Sequence, residues 1–293
     1  MNDIVSGNIQ KRKERAGRIL SSITNLPSIP IVVYEVTKII NDPSSSATQL
    51  SKVISKDQGL VAKVLSVANS PLYGIPRRVS TIEFAIVILG FNHIKNIVIA
   101  LSMMDSLKTI GDKRFDSKQY WTHSIMVATA AKRIADDLGF STSGEAFTAG
   151  LLHDLGLPVI NKYFTKEFKS IIENVEKDGM SLRGAELRAM GVTHSEIGKI
   201  LMEKWNLPEQ LSDVVLYHHN PIDAPENKEL TAIVHLADYM TYKLEIADFL
   251  WDSNKAIDTG IIDILQLGDL DYLTGFIEGY RSLFEEQVNN FSF

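Results

Sequence analysis

Apolar residues recur at three- and four-residue intervals along almost the whole chain, and no stretch joins strict alternation to β-branched residues over a strand's length. The pattern predicts an all-α protein. Leu26-Pro27-Ser28-Ile29-Pro30 cannot continue a helix, because each proline lacks an N–H and pushes its predecessor out of the α region. A basic helix is expected over residues 8–23, and a new one starts at Ile31. The spacing then predicts helices over about 31–41, 47–54 with Ser46 as N-cap, and 57–69. A turn at Asn69-Ser70-Pro71-Leu72-Tyr73-Gly74 precedes a helix that Ser80 can cap and that runs to Leu89, and after Gly90 another runs from His93 to Leu107.

Further along, a helix at about 118–138 is closed by Gly139, and one from Ser143 passes through His153-Asp154 until Pro158 kinks or ends it. Helices at about 166–177 and 181–189 are divided by Asp178-Gly179. Thr193 and Glu196 have the spacing of a capping box, which predicts a helix from His194 to Trp205. Pro208 fits the first turn of the next helix, which ends at His218-His219-Asn220-Pro221. A helix at about 227–245 and one or two acidic helices complete the chain.

Length turns this helical list into an architecture. Single cores stop growing at roughly 250–300 residues, so 293 residues suggest two cores, a two-lobed helical bundle. The polar stretch from Thr109 to Lys118 is the expected boundary. The division is then a basic helix start at 1–18, a helical lobe at 19–115, a second at 116–246, and acidic helices at 247–293. Charge follows it: residues 1–118 carry +7 and residues 119–293 carry −13. Lobes of opposite sign attract each other, which is the plainer reading beside steering toward an acidic partner. The five basic residues at 11–18 likewise read as a solvated helix rather than a nucleic-acid or membrane contact. No apolar run reaches the roughly 18 residues that span a bilayer, and none follows the N-terminal charges as in a signal peptide, so a cytoplasmic protein is expected.

The absence of cysteine removes disulfides, thiolate metal sites and cysteine nucleophiles, leaving imidazole and carboxylate as metal ligands. Six of the seven histidines lie between residues 123 and 235. His123, His153-Asp154 and Asp238 fall on different predicted helices, which a bundle can aim into one interior site. Imidazole and carboxylate suit zinc, iron, manganese or nickel, and Asp154 could bridge two ions around one water. Taken singly, each histidine reads more readily as a hydrogen-bonded core residue than as a ligand. His235, one turn before Asp238, could support a ligand but reads as core. His93 reads as structural or solvent-facing, and Glu196, Asp213 and Tyr217 as helix-surface residues.

The order His123, His153-Asp154, His194, His218-His219, Asp238 resembles the HD superfamily of metal-dependent phosphohydrolases, and within it the HDOD domain, the HD-related output domain of bacterial signalling proteins. The N-terminal half is similar to HDOD proteins in Leu26-Pro27-Ser28-Ile29-Pro30, Asn41-Asp42-Pro43, Leu50 to Asp57, Val67-Ala68-Asn69-Ser70 and Ala85-Ile86-Val87-Ile88-Leu89-Gly90. The C-terminal half is similar in Gly150-Leu151-Leu152-His153-Asp154-Leu155-Gly156, Gly191-Val192-Thr193-His194, Tyr217-His218-His219 and Val234-His235-Leu236-Ala237-Asp238.

The resemblance implies an HDOD-specific lobe followed by an HD-like lobe. It places first-metal ligands on His123, His153, Asp154 and Asp238, and those of a further ion, as in HD-GYP phosphodiesterases of cyclic di-GMP, on His194, His218 and His219. One or two divalent transition-metal ions, Fe, Mn, Zn or Ni, are the cofactor it implies. Two departures stand out. Leu157 occupies the place of a lysine thought to serve the phosphate, and Asn220-Pro221 follows His218-His219 without the Gly-Tyr-Pro element. A leucine neither donates a proton nor holds an anionic oxygen. The expected function is therefore a non-catalytic regulatory module acting on a signalling protein partner. The competing expectation is a metal-dependent phosphohydrolase or phosphodiesterase acting on a nucleotide such as a cyclic dinucleotide, with Asp154 as its catalytic residue.

Overall fold

In a computed structural model of the chain, residues 30–40, 42, 45–106, 111–247 and 255–290 are described, together with residues 14, 18, 19 and 21. Most of the expected helix over 8–23, the Leu26 to Ile29 turn, Asn41, Pro43 and the start of the polar boundary lie outside them. Every regular element among the described residues is a helix or a single turn of 3₁₀ helix.

The N-terminal helices are α1 (Ile31–Ile40), α2 (Ala47–Ile54), α3 (Gln58–Ala68), α4 (Ile82–Leu89) and α5 (Phe91–Ser106). Ser46 and Gln49 form a capping box on α2, and Asp57 caps α3 by accepting from the Leu60 N–H at 3.0 Å. Thr81 rather than Ser80 caps α4, its hydroxyl accepting from the Phe84 N–H, and α5 starts at Phe91, directly after Gly90. Helices α1, α3 and α4 all rest on α5, whose other side meets the second half of the chain.

That half contains α6 (Ser117–Asp137), α7 (Ser143–Leu152), α8 (Gly156–Tyr163), α9 (Thr165–Asp178), α10 (Leu182–Ala189), α11 (His194–Lys204), α12 (Glu209–Tyr217) and α13 (Lys228–Leu244). Three more helices follow: α14 (Ile261–Ile264), α15 (Leu270–Gly279) and α16 (Arg281–Asn290). The closest pairing is α6 against α7. There a Cβ on Gly150 would lie 2.9 Å from the Ala128 Cα, so glycine is what lets the two backbones touch. Helix α13 lies on both, α12 joins α7 and α13, and α11 joins α8 and α12.

One further expectation changes here. No helix passes through His153-Asp154, because Pro158 has no N–H to offer the Asp154 carbonyl four residues upstream. The Leu157 N–H takes that carbonyl instead at 2.9 Å, so α7 stops at Leu152 and α8 starts afresh at Gly156. The proline thus acts one turn before itself, at the two residues that matter most. Among the described residues the buried apolar side chains form one connected cluster from Ile19 to Phe284. The last helix belongs to it. The buried Gln287 accepts from the Ser70 hydroxyl and donates to Thr129 Oγ1 at 3.3 Å, tying α16 to residues of both halves.

Candidate metal centre

Seven of the sequence-predicted ligands meet in the interior of the second half. His123 comes from the middle of α6, His153 and Asp154 from the break that Pro158 creates, and His194 from the first position of α11. His218 and His219 follow the end of α12, and Asp238 lies on α13. A Cβ on Gly156 would lie 2.0 Å from the His194 carbonyl oxygen, so only glycine lets α8 bring Asp154 against α11.

Ligand atoms of His123, His153 and Asp238 lie within 4.8 Å of one another, as do those of Asp154, His194, His218 and His219. In the first group Asp238 Oδ1 is 3.2 Å from His123 Nε2 and 3.7 Å from His153 Nε2. Asp154 stands between the groups. Its Oδ2 lies 3.2 Å from His153 Nε2 and 3.8 Å from His123 Nε2, whereas its Oδ1 lies 3.3 Å from His194 Nε2 and 3.5 Å from His218 Nε2. His219 closes the second group, its Nε2 3.0 Å from that of His194.

Four of the rings are held from behind. His123 Nδ1 donates to the Ala247 carbonyl at 2.9 Å, His153 Nδ1 to Gly150 at 2.7 Å and His218 Nδ1 to Val215 at 2.8 Å. His194 Nδ1 is 2.8 Å from Glu186, a carboxylate on α10 that is wholly buried. A carbonyl or carboxylate oxygen only accepts, so each Nδ1 carries a proton and each ring turns its Nε2 inward. The Nε2 atoms of His123 and His153 face each other across 3.4 Å, and buried His218 Nε2 makes no hydrogen bond. Inward Nε2 atoms beside two buried carboxylates form a set that a cation can occupy in place of protons. The donor set, imidazole Nε2 with carboxylate oxygen and Nδ1 anchored elsewhere, fits a divalent transition metal.

The electrostatics differ from ring to ring. Burial disfavours the charged form of each group and pushes His218 down to about 4 and His219 well below the usual histidine range. His194 goes the other way: burial lowers it, but Glu186 and Asp154 outweigh that and raise it to about 10. Burial likewise opposes ionisation of Asp154 and Asp238, yet His153 for the first and Lys255 for the second hold them well below the usual carboxylate range.

The HDOD domain family matches residues 26–221. This chain belongs to the HDOD family. Among solved structures, an HDOD domain protein of unknown function from Geobacter sulfurreducens is 28% identical, with a TM-score of 0.77 over 97% of this chain and 100% of that one. A candidate signal transduction protein from Marinobacter aquaeolei is 21% identical, with a TM-score of 0.72 over 97% and 66% of the two chains. A candidate phosphohydrolase from Shewanella amazonensis is 24% identical, with a TM-score of 0.70 over 93% and 97%. These last two share the fold. An uncharacterized protein of Treponema pallidum is 27% identical over 225 residues, 76% of this chain but 43% of that relative, so the chain spans less than half of the relative's length.

Two residues of the HDOD centre escaped the sequence reading, Glu186 behind His194 and Lys255, whose Nζ donates to Asp238 Oδ1 at 2.8 Å. His235 stays out of the ligand cluster. Its Nδ1 donates to the His218 carbonyl at 2.7 Å and its Nε2 accepts from the Asp258 N–H at 2.9 Å, so it props the backbone beside a ligand. Glu196 completes the capping box on α11, and Asp213, read as a surface residue, is buried beside Asn227. His93 is buried rather than solvent-facing, set edge-on to Phe147 with its Nε2 2.6 Å from the Tyr73 hydroxyl. No helix among the described residues is long and apolar enough to cross a membrane.

Proposed function

We propose that this HDOD protein is a metal-binding regulatory module that acts by contact with a signalling protein and turns over no substrate. His123, His153, Asp154, His194, His218, His219 and Asp238 hold one or two divalent ions of Fe, Mn, Zn or Ni in the HD-like lobe at 116–246. The lobe at 19–115 presents the partner surface. One observation carries the reading: the centre is buried at every candidate ligand but His219, which is half-buried at its edge. A phosphodiester reaches a metal through exposed surface, and here the side chains of His123, His153 and His218 are 0% exposed and that of Asp154 6%. Leu157 is 1% exposed in the core and brings no charge to a phosphate.

A bound ion supplies a Lewis-acid centre able to acidify water. The chain's own part is positioning. Nδ1 bonds fix four rings, Glu186 holds His194 by ring and backbone, and Asp154 spans both groups. That span favours the second reading, a metal-dependent phosphohydrolase, since a bridging carboxylate is what a two-ion hydrolytic site uses.

Elemental analysis of protein purified without chelator, followed by assay on cyclic dinucleotides and a generic phosphodiester, separates the two. Stoichiometric metal without turnover is expected. Metal-dependent turnover near about 1–10³ s⁻¹, abolished by Asp154→Ala, would establish the hydrolase instead.

A further inference from the structure

The two ligand groups differ in one respect. Asp238 Oδ1 already carries a cation, because Lys255 Nζ donates to it at 2.8 Å, with lysine and aspartate side chains 7% and 5% exposed. That oxygen also faces both histidines of its group, 3.2 Å from His123 Nε2 and 3.7 Å from His153 Nε2. A metal would need the same atom at about 2.0–2.2 Å, which brings a dication within a few ångströms of an ammonium in a buried site where like charges are poorly screened. Asp154 has no such neighbour: among the described residues its ion pairs run to histidines only.

Ala247 gives its carbonyl to His123 and Asp258 gives its N–H to His235, so described residues on both sides of Lys255 are fastened to the centre.

We propose that Lys255 is a tethered cation that competes with metal at the His123/His153/Asp238 group, so that the group of Asp154, His194, His218 and His219 fills first. The second ion enters only when the ammonium leaves Asp238. This rests on the metal-binding reading above.

Competition titration with zinc ion, on the full chain, tests it. Wild type should bind one zinc tightly and a second at least tenfold more weakly, and His218→Ala should abolish the tight one. Lys255→Met, which removes the charge and keeps most of the stem, should tighten the second constant at least tenfold and leave the first unchanged. Lys255→Gln, which can still donate to Asp238, should do the same and stands in if the methionine variant fails to fold. Equal binding of both ions by wild type overturns the proposal alone, as does a second constant that these variants leave unchanged or weaken. If neither wild type nor variants bind zinc, the metal reading and the proposal fall together.

Discussion

Glu186 holds His194 at two points: its Oε1 lies 2.8 Å from the ring Nδ1, and its Oε2 accepts the His194 backbone N–H at 3.1 Å. One buried carboxylate thus fixes both where α11 begins and which way its first ring faces. Glu186→Ala would leave two donors unpaired in a dry core, and stability should fall by about 3–5 kcal/mol. Metal affinity should fall about 10- to 100-fold, as when the hydrogen-bond partner of a ligating histidine is lost. Urea unfolding and a zinc competition assay measure the two effects; a variant as stable as wild type would mean that the carboxylate is dispensable.

Asp154→Ala should deplete metal from both groups at once, since its two oxygens face different histidine sets. At metal concentrations about 100 times the dissociation constant, the lost stabilisation is about 2.7 kcal/mol. Elemental analysis beside thermal melting reads this; unchanged metal content would remove Asp154 from the ligand set.

Gly156→Ala places a methyl group 2.0 Å from the His194 carbonyl oxygen and 2.8 Å from its Cα. Backbone cannot yield as a side-chain tip does, so α8 and α11 must separate, at about 1–3 kcal/mol or more. Because the displaced residue is a ligand candidate, metal affinity should drop with stability. A variant with normal metal affinity would show that the centre tolerates the shift.

The His93 imidazole is held down to about 3, first by burial and then by the Lys132 charge. A base whose folded value lies below its unfolded value of about 6.5 takes up protons on unfolding, so the native state loses stability as pH falls from about 6.5 toward 3. The loss is about 1.4 kcal/mol per pH unit inside that window, with none above it. The difference between wild-type and His93→Gln unfolding curves isolates it from the carboxylates, and a pH-independent difference would refute it.

Much of the centre was readable because ligand residues at helix ends leave a mark in sequence: His194 sits inside a capping box, and His153-Asp154 precedes a proline. Glu186 left none. It sits mid-helix in Leu182-Arg183-Gly184-Ala185-Glu186, where a charged residue ordinarily faces water, and only the packing of α10 turns it inward. Lys255 stood with Arg281 as the two basic residues among nine acidic ones after Ala247, where a base reads as surface balance. The helix ladder through Asp154 was misjudged for a local reason, since a proline breaks the bond to the carbonyl four residues earlier. His93 lacked any apolar signature of its own, and it became a core residue through Tyr73 and Phe147, contacts that no spacing rule encodes.

Ser70 and Gln287 are 217 residues apart in the chain, yet they share a buried hydrogen bond. At about 5–20 residues per second, synthesis leaves the seat for Gln287 empty for roughly 10–40 s. Through that interval the Ser70 and Thr129 hydroxyls and the apolar bed of Phe284 face solvent or a chaperone. For the last part of that interval, about 2–10 s over the 49 residues from Asp238 to Gln287, the nascent protein has made every candidate ligand of the centre but cannot yet bury α16.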